Sequence, residues 1–349
     1  MKFGLVWVMM NSISRVKGVR RLVLSKVATR SSTERMRTVV TQQRTFFSPL
    51  SRVLRGGSFF KPSSEEITVG DDMNDDLNAR KAAKTKNIAT EVPVDTMFPV
   101  SVHSIQGHRE YMEDNYAISK DFVALFDGHG GAKVSQYLRQ NLYAALKQTN
   151  VHGDPPTALH HAIHTVNEEI CRIMPWSFQG STGIMTWIVD GTLYTANVGD
   201  SRAVLSHRGQ AVALSKDHKP TDPSEYERIH QAGGFVSRRL GDIPRVNGNL
   251  ALSRAFGDRA ERPAVIADPD ISVLELDDAC DFVVLGTDGV WDVMSSYDVV
   301  EFVKEARSNG AKTEDIAAMI VHESLLRGSY DNISAIVVFF DMRRTGDDL

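Results

Sequence analysis

The chain of 349 residues predicts an α+β fold, an antiparallel β-sandwich flanked by helices, on three observations. Short strand-like runs are joined by two-residue turn signals, two longer stretches carry apolar residues at helical spacing, and three apolar runs abut Asp-Gly or Asp-Asn. Two-residue hairpins join antiparallel neighbours, whereas a parallel sheet would need strands alternating with helices.

In chain order, compact patterning begins near Phe98. Phe122–Phe126 is wholly apolar, as a strand buried on both faces should be, and it empties into Asp127-Gly128-His129-Gly130-Gly131. Val134, Leu138, Leu142 and Ala145 mark one face of a helix; Leu159, Ala162, Ile163, Val166, Ile170 and Ile173 mark a second. His160, His161 and His164 on that second helix read as solvated or helix-face residues, not ligands. Strands follow at Ile184–Val189, Leu193–Val198, Ala203–Ser206 and Ala211–Leu214, with Asp190-Gly191 and Arg208-Gly209 as hairpin turns. Phe282–Leu285 runs into Gly286-Thr287-Asp288-Gly289. Ser295 with Asp298 has the form of a capping box opening a helix through Val299, Phe302 and Val303. A last helix covers Ile316–Leu325, and Asp331-Asn332 precedes a last strand, Ile333–Phe340.

A hydrophobic fraction of 42% with 24% charged residues is ordinary for a soluble globular protein. Cys171 and Cys280 show no Cys-x-x-Cys spacing, which argues against a disulfide scaffold or a zinc knuckle. No apolar run reaches the ~20 residues that span a bilayer, so no membrane partner is expected. The net charge of −4 conceals an asymmetry: residues 1–60 hold 12 basic residues and one acid, Glu34, for +11, leaving −15 on the remainder. That acidic body argues against nucleic acid and suits a protein that binds cations.

Residues 1–50, rich in Arg, Ser and Thr, have the composition of an organelle-targeting segment, and Arg44-Thr45-Phe46-Phe47-Ser48 is similar to a mitochondrial processing site. A mitochondrial destination is expected, with chloroplast or cytoplasm (a plain disordered basic arm) as the alternatives. Residues 51–97 read as a polar linker, 98–342 as one domain and 343–349 as a short tail; a monomer is expected.

One Asp-Gly is ordinarily turn chemistry. Asp127, Asp288 and Asp331, at the ends of three apolar strands far apart in sequence, could instead converge as a hard-cation site. Two divalent ions sharing a bridging carboxylate supply the nucleophile and the charge neutralisation that phosphomonoester hydrolysis demands. On that reading Asp127 is the bridge, the Gly128 carbonyl serves one ion, and Asp288 and Asp331 complete the other. Arg109 supplies a fork for phosphate, and Glu113 acts through water.

The motifs, in order, are Gly107–Asp114, Asp127–Gly131, Gly180-Ser181-Thr182, Asn197–Arg202, Asp217–Pro220, Arg228-Ile229 to Gly234, Arg245–Asp258, Thr287–Met294 and Ser329–Asn332. Over Phe98 to Met342 the chain resembles a type 2C metal-dependent protein serine/threonine phosphatase. The resemblance implies hydrolysis of phosphoserine and phosphothreonine monoesters in phosphorylated protein substrates by a two-metal-activated hydroxide, with Mg2+ or Mn2+. It implies that Arg109 binds the phosphate and that His129 is the general acid. Asp200 and Asp292, with Asp288, match a weaker third metal site, and residues 217–246 match a flap beside the cleft. Simpler readings stand beside these: Arg109 as a surface ion-pair partner, His129 as a packed histidine, Asp200 in a Gly-Asp-Ser turn. Gly183 departs from the family's usual alanine. A binding-only relative should have lost metal aspartates or Arg109, and none is lost here; a two-metal phosphodiesterase would need room for a second ester arm. Asn332-Ile333-Ser334 matches a glycosylation acceptor but adjoins the expected metal site.

Overall fold

A computed structural model describes residues 95–149, 154–174 and 178–340. The basic segment 1–50, nearly all of the linker 51–97, Met342 and the tail 343–349 lie outside the described residues. Thr96 is buried and Met97 donates its N–H to the Lys120 carbonyl at 2.7 Å, so the last linker residues already belong to the fold.

The first strands are β1 (Val100–Ile105), β2 (Asn115–Ile118), β3 (Phe122–Phe126) and the two-residue β4 (Gly128–His129). Helices α1 (Lys133–Gln148) and α2 (Pro155–Ile173) follow, then β5 (Gly180–Ser181), β6 (Gly183–Val189), β7 (Thr192–Val198), β8 (Arg202–His207) and β9 (Gln210–Ala213). α3 (Pro223–Gln231) precedes β10 (Val236–Ser237), β11 (Arg245–Val246), β12 (Phe256–Gly257), β13 (Asp270–Glu275) and β14 (Cys280–Gly286). α4 (Asp288–Trp291), α5 (Ser296–Ser308), α6 (Ile316–Leu326) and β15 (Ile333–Phe339) complete the described chain.

Two five-stranded sheets, ordered β1-β15-β14-β8-β9 and β13-β7-β6-β3-β2, are paired antiparallel throughout. Central strands such as β3 and β15 are buried on both faces because both faces are covered. In β3, Val123 and Leu125 join Ile184, Leu205, Leu285 and Ile336 in the core between the sheets, while Phe122, Ala124 and Phe126 face α1 and α2. In β14, Val283 and Leu285 point inward between the sheets, and Phe282 and Val284 pack against α5 and α6. Alternation along a strand therefore sorts side chains into three cores of a four-layer sandwich.

The hairpin turns form as read. Asp190 and Gly191 (φ 48° and 75°) join β6 to β7, and Arg208 and Gly209 (φ 51° and 69°) join β8 to β9, the paired positive φ values of a type I′ turn. Ser295 caps α5 through the Asp298 N–H, and the Asp298 carboxylate returns the bond to the Ser295 N–H. The helix faces need one addition and one correction. α1 buries Leu146 as well, beside a partly buried Ala145 that packs on the same core, and Ile173, in the last turn of α2, is exposed. Among the described residues no helix is long and apolar enough to cross a membrane.

Candidate active site

Three strand ends meet at one edge of the sandwich. β3 delivers Asp127, β14 ends two residues before Asp288, and Asp331 stands two residues ahead of β15. β14 and β15 are neighbours with Gly286 opposite Ala335, so Asp288 and Asp331 emerge at the same end. The backbone of Asp127 is clamped: its N–H donates to Thr182 Oγ1 at 3.1 Å and its carbonyl accepts from the Thr182 N–H at 2.9 Å. Thr182 Oγ1 also pairs with Ser201 Oγ at 2.7 Å, so Thr182 braces the strand end.

Arg109 and Glu113 ride on the loop between β1 and β2, and Asn332 pins that loop. Its Nδ2 donates to the carbonyls of Gln106 (2.8 Å) and Tyr111 (3.0 Å), and its Oδ1 accepts from the Glu113 N–H (2.8 Å). Buried in this way, Asn332 is not a surface glycosylation acceptor. Arg109 Nη2 donates to Asp331 Oδ2 at 2.5 Å.

A cleft of about 390 Å³ is lined by Arg109, Glu113, Asp127, Gly128, His129, Asp200, Asp288, Asp292 and Asp331, every site residue singled out from the sequence. Six carboxylates thus face one another across a space shared with two guanidinium groups, Arg109 and Arg245. Burial, then the charges of Asp288, Asp114, Asp200 and Asp331, push the Asp127 carboxyl well above the usual carboxylate range. Burial, then Asp200, Asp331 and Asp292, do the same to Asp288. Burial also raises Asp292 and Glu113. Carboxyls crowded this closely favour a proton or a cation among them, and an all-oxygen donor set fits a hard dication such as Mg2+ or Mn2+.

Asp200 carries its own counter-charge, since the Lys219 ammonium sits against its carboxylate. Burial alone would lower the Lys219 pKa, but Asp200 reverses that and holds the lysine charged. The lysine thus shares Asp200 with the position expected for a third ion.

His129 is placed by a small sheet, β12-β5-β4, in which Gly180 lies opposite both His129 and Gly257. The register brings His129 Nε2 to 2.6 Å from Asp258 Oδ2, a carboxylate whose side chain is 1% exposed. Burial alone would lower the His129 pKa; the hydrogen bond and charge of Asp258, with Asp200 and Glu113, raise it. Gly180 makes the contact possible, because a Cβ there would overlap His129 Nε2 and lie 2.6 Å from Asp258 Cγ. At Gly183, likewise, a Cβ would come within 2.7 Å of the Phe256 ring, so the departure from alanine matches this packing.

Three participants were not assigned roles from the sequence. Asp258 closes the Arg245–Asp258 motif, yet nothing local ties it to a histidine 129 residues earlier. Asp114 lies buried behind the cleft, accepting from Ser334 Oγ (2.6 Å) and Thr287 Oγ1 (3.2 Å), and burial pushes it up to about 7. Lys219 sits within the Asp217–Pro220 motif, the one local signal available for it. On the flap, Ile243 and Arg245 reach the cleft wall.

Comparison with known proteins identifies the family. The family model described as Protein phosphatase 2C matches residues 99–333. The Arabidopsis thaliana protein named Probable protein phosphatase 2C 69 is 40% identical over 254 residues, covering 70% of each chain. Probable protein phosphatase 2C 45 of Oryza sativa subsp. japonica is 37% identical over 253 residues, covering 70% of this chain and 88% of that one. Among solved structures, serine-threonine phosphatase 2C from Toxoplasma gondii shares the fold with a TM-score of 0.65 at 23% identity, over 73% of this chain and 98% of that one.

Proposed function

The chain belongs to the protein phosphatase 2C family, and from that membership we propose that it hydrolyses phosphoserine and phosphothreonine monoesters of proteins with two Mg2+ or Mn2+ ions in the carboxylate cleft. It is a protein serine/threonine phosphatase. The observation that carries the metal reading is the crowding of six carboxylates in one cleft, with the Asp127 carboxyl raised by burial and then by four neighbouring acids. Asp127, the Gly128 carbonyl, Asp288 and Asp331 would hold the ions, with Glu113 acting through water and Asp200 and Asp292 serving a weaker third position with Asp288. When bound, the ions supply charge neutralisation for the phosphate and a lowered pKa for the attacking water.

The remaining work falls to the protein's own side chains. Arg109 spends one N–H on Asp331 and presents the rest of its guanidinium to the phosphate oxygens. His129 spends Nε2 on Asp258, so Nδ1 is the nitrogen left to protonate the departing serine or threonine oxygen. Beyond His129 a second hollow of about 560 Å³, bordered by Phe178, Arg239, Asp242 and Arg245, offers room for the polypeptide flanking the phosphorylated residue. The +11 charge of residues 1–60 supports a mitochondrial address for the enzyme.

The deciding experiment is hydrolysis of an aryl phosphate and of a phosphothreonine peptide with added Mn2+, Mg2+ or Ca2+, or with chelator. Turnover is expected with Mn2+ or Mg2+ and is expected to vanish in chelator. Full turnover after chelation and gel filtration would overturn the two-metal reading.

A further inference from the structure

Away from the cleft, His160 and His164 stand one turn apart on α2, and both turn their Nε2 atoms onto a single oxygen, Asp268 Oδ1, at 3.0 Å each. The spacing i, i+4 puts two imidazoles on one helix face, with ring centroids 4.3 Å apart. The three ligand atoms all lie within 4.8 Å of one another. We propose that His160, His164 and Asp268 form a binding site for a borderline transition-metal dication, with Zn2+ as the ion of choice, separate from the phosphatase centre.

Three features support this assignment. Donors held about 2.0–2.1 Å from one zinc ion stand about 2.9 Å apart at right angles and about 3.3 Å apart in a tetrahedron, and the two N···O separations of 3.0 Å fall in that range. The metal would replace the protons that now lie between these atoms. Two imidazoles and one carboxylate favour zinc, nickel or copper over magnesium, the converse of the all-oxygen cleft.

The donors also stand on rigid supports. α2 is anchored by buried Leu159, Ala162, Ile163 and Val166, which flank the histidines in sequence. The Asp268 carbonyl accepts from Arg254 Nη1 at 2.9 Å, and that arginine is locked in turn by Glu225 and Asp270. The side chains of His160, His164 and Asp268 are 52%, 37% and 49% exposed, so solvent reaches the three donors and would fill the remaining coordination positions. The ion would clip α2 to the segment after β12. One turn beyond His164, Asn167 accepts the Gly257 N–H at 3.0 Å, next to the Asp258 that holds His129.

The test uses the full chain without a polyhistidine tag, kept in excess Mg2+ and titrated with Zn2+ against a chromophoric chelator. One tight equivalent of Zn2+ is expected. It should persist in Asp127→Asn, which separates it from the cleft, and in His207→Gln, which separates it from a second group of donors, His207, Asp277 and Cys280. His160→Gln, His164→Gln and Asp268→Asn should each weaken it at least about tenfold, and the double variant H160Q/H164Q should lose it together with the Zn2+-induced rise in Tm. Unchanged Mg2+-dependent turnover in these three positions' variants would show that they fold. An equivalent of unchanged affinity in the double variant, or no tight equivalent in the wild type, would overturn the proposal and leave a hydrogen-bonded His–Asp–His cluster.

Discussion

Asp258→Asn is the substitution that isolates the proton-transfer role of His129. Asn keeps the shape of the side chain and removes the charge that faces Nε2 at 2.6 Å. A charge-assisted hydrogen bond in a buried setting contributes roughly 1.5–3 kcal/mol, which corresponds to a loss of about 10- to 150-fold in a step that depends on it. The loss should be selective. A serine or threonine alkoxide leaves poorly without a proton, whereas an aryl oxide leaves readily. The assay is kcat/KM on a phosphothreonine peptide beside an aryl phosphate, in saturating metal. The peptide rate should fall by the stated factor and the aryl phosphate rate far less. The pH profile gives a second reading. Asp258 raises the His129 pKa, so the acid form persists to higher pH in the wild type, and the basic limb should move to lower pH in the variant. Gly180→Ala, whose Cβ would intrude between the same two side chains, should reproduce the selective loss. Equal losses on both substrates would refute the general-acid assignment.

Asp127→Asn is expected to abolish turnover while raising Tm in chelator. An acid whose folded pKa is raised costs stability as pH climbs past its unfolded value, so removing the charge at neutral pH relieves the metal-free fold, and a lower Tm in differential scanning would contradict the crowding argument. Arg109→Ala should lower kcat/KM by about 2–4 kcal/mol with KM rising, as expected on losing a guanidinium clamp; wild-type kinetics would return Arg109 to the status of a surface ion-pair partner. A fluorescent protein fused to residues 1–47 should enter mitochondria, and deleting that segment should leave catalysis intact; plastid or cytosolic fluorescence would each reject the mitochondrial address.

What the sequence disclosed, and what it withheld, follows from the range of the interactions. β3, β14 and β15 were legible as predominantly apolar runs because helices cover one face of each and the opposite sheet covers the other. The turns at Asp190-Gly191 and Arg208-Gly209 were legible because positive φ restricts the residues that fit. The cleft acids were legible because they adjoin such strands, although convergence of Arg109 with Asp331 across 222 residues could only be surmised. Partnerships carried by very short elements were not legible. β4, β5 and β12 have two residues each, too few for any periodicity, yet their register sets the distance between His129 and Asp258. The ammonium of Lys219 against Asp200 likewise depends on how the loop after β9 folds back. The histidines of α2 show the same limit: helical spacing places His160 and His164 on one face, but Asp268 comes from a segment more than a hundred residues later, and its arrival turns two solvated side chains into a cluster with a defined geometry.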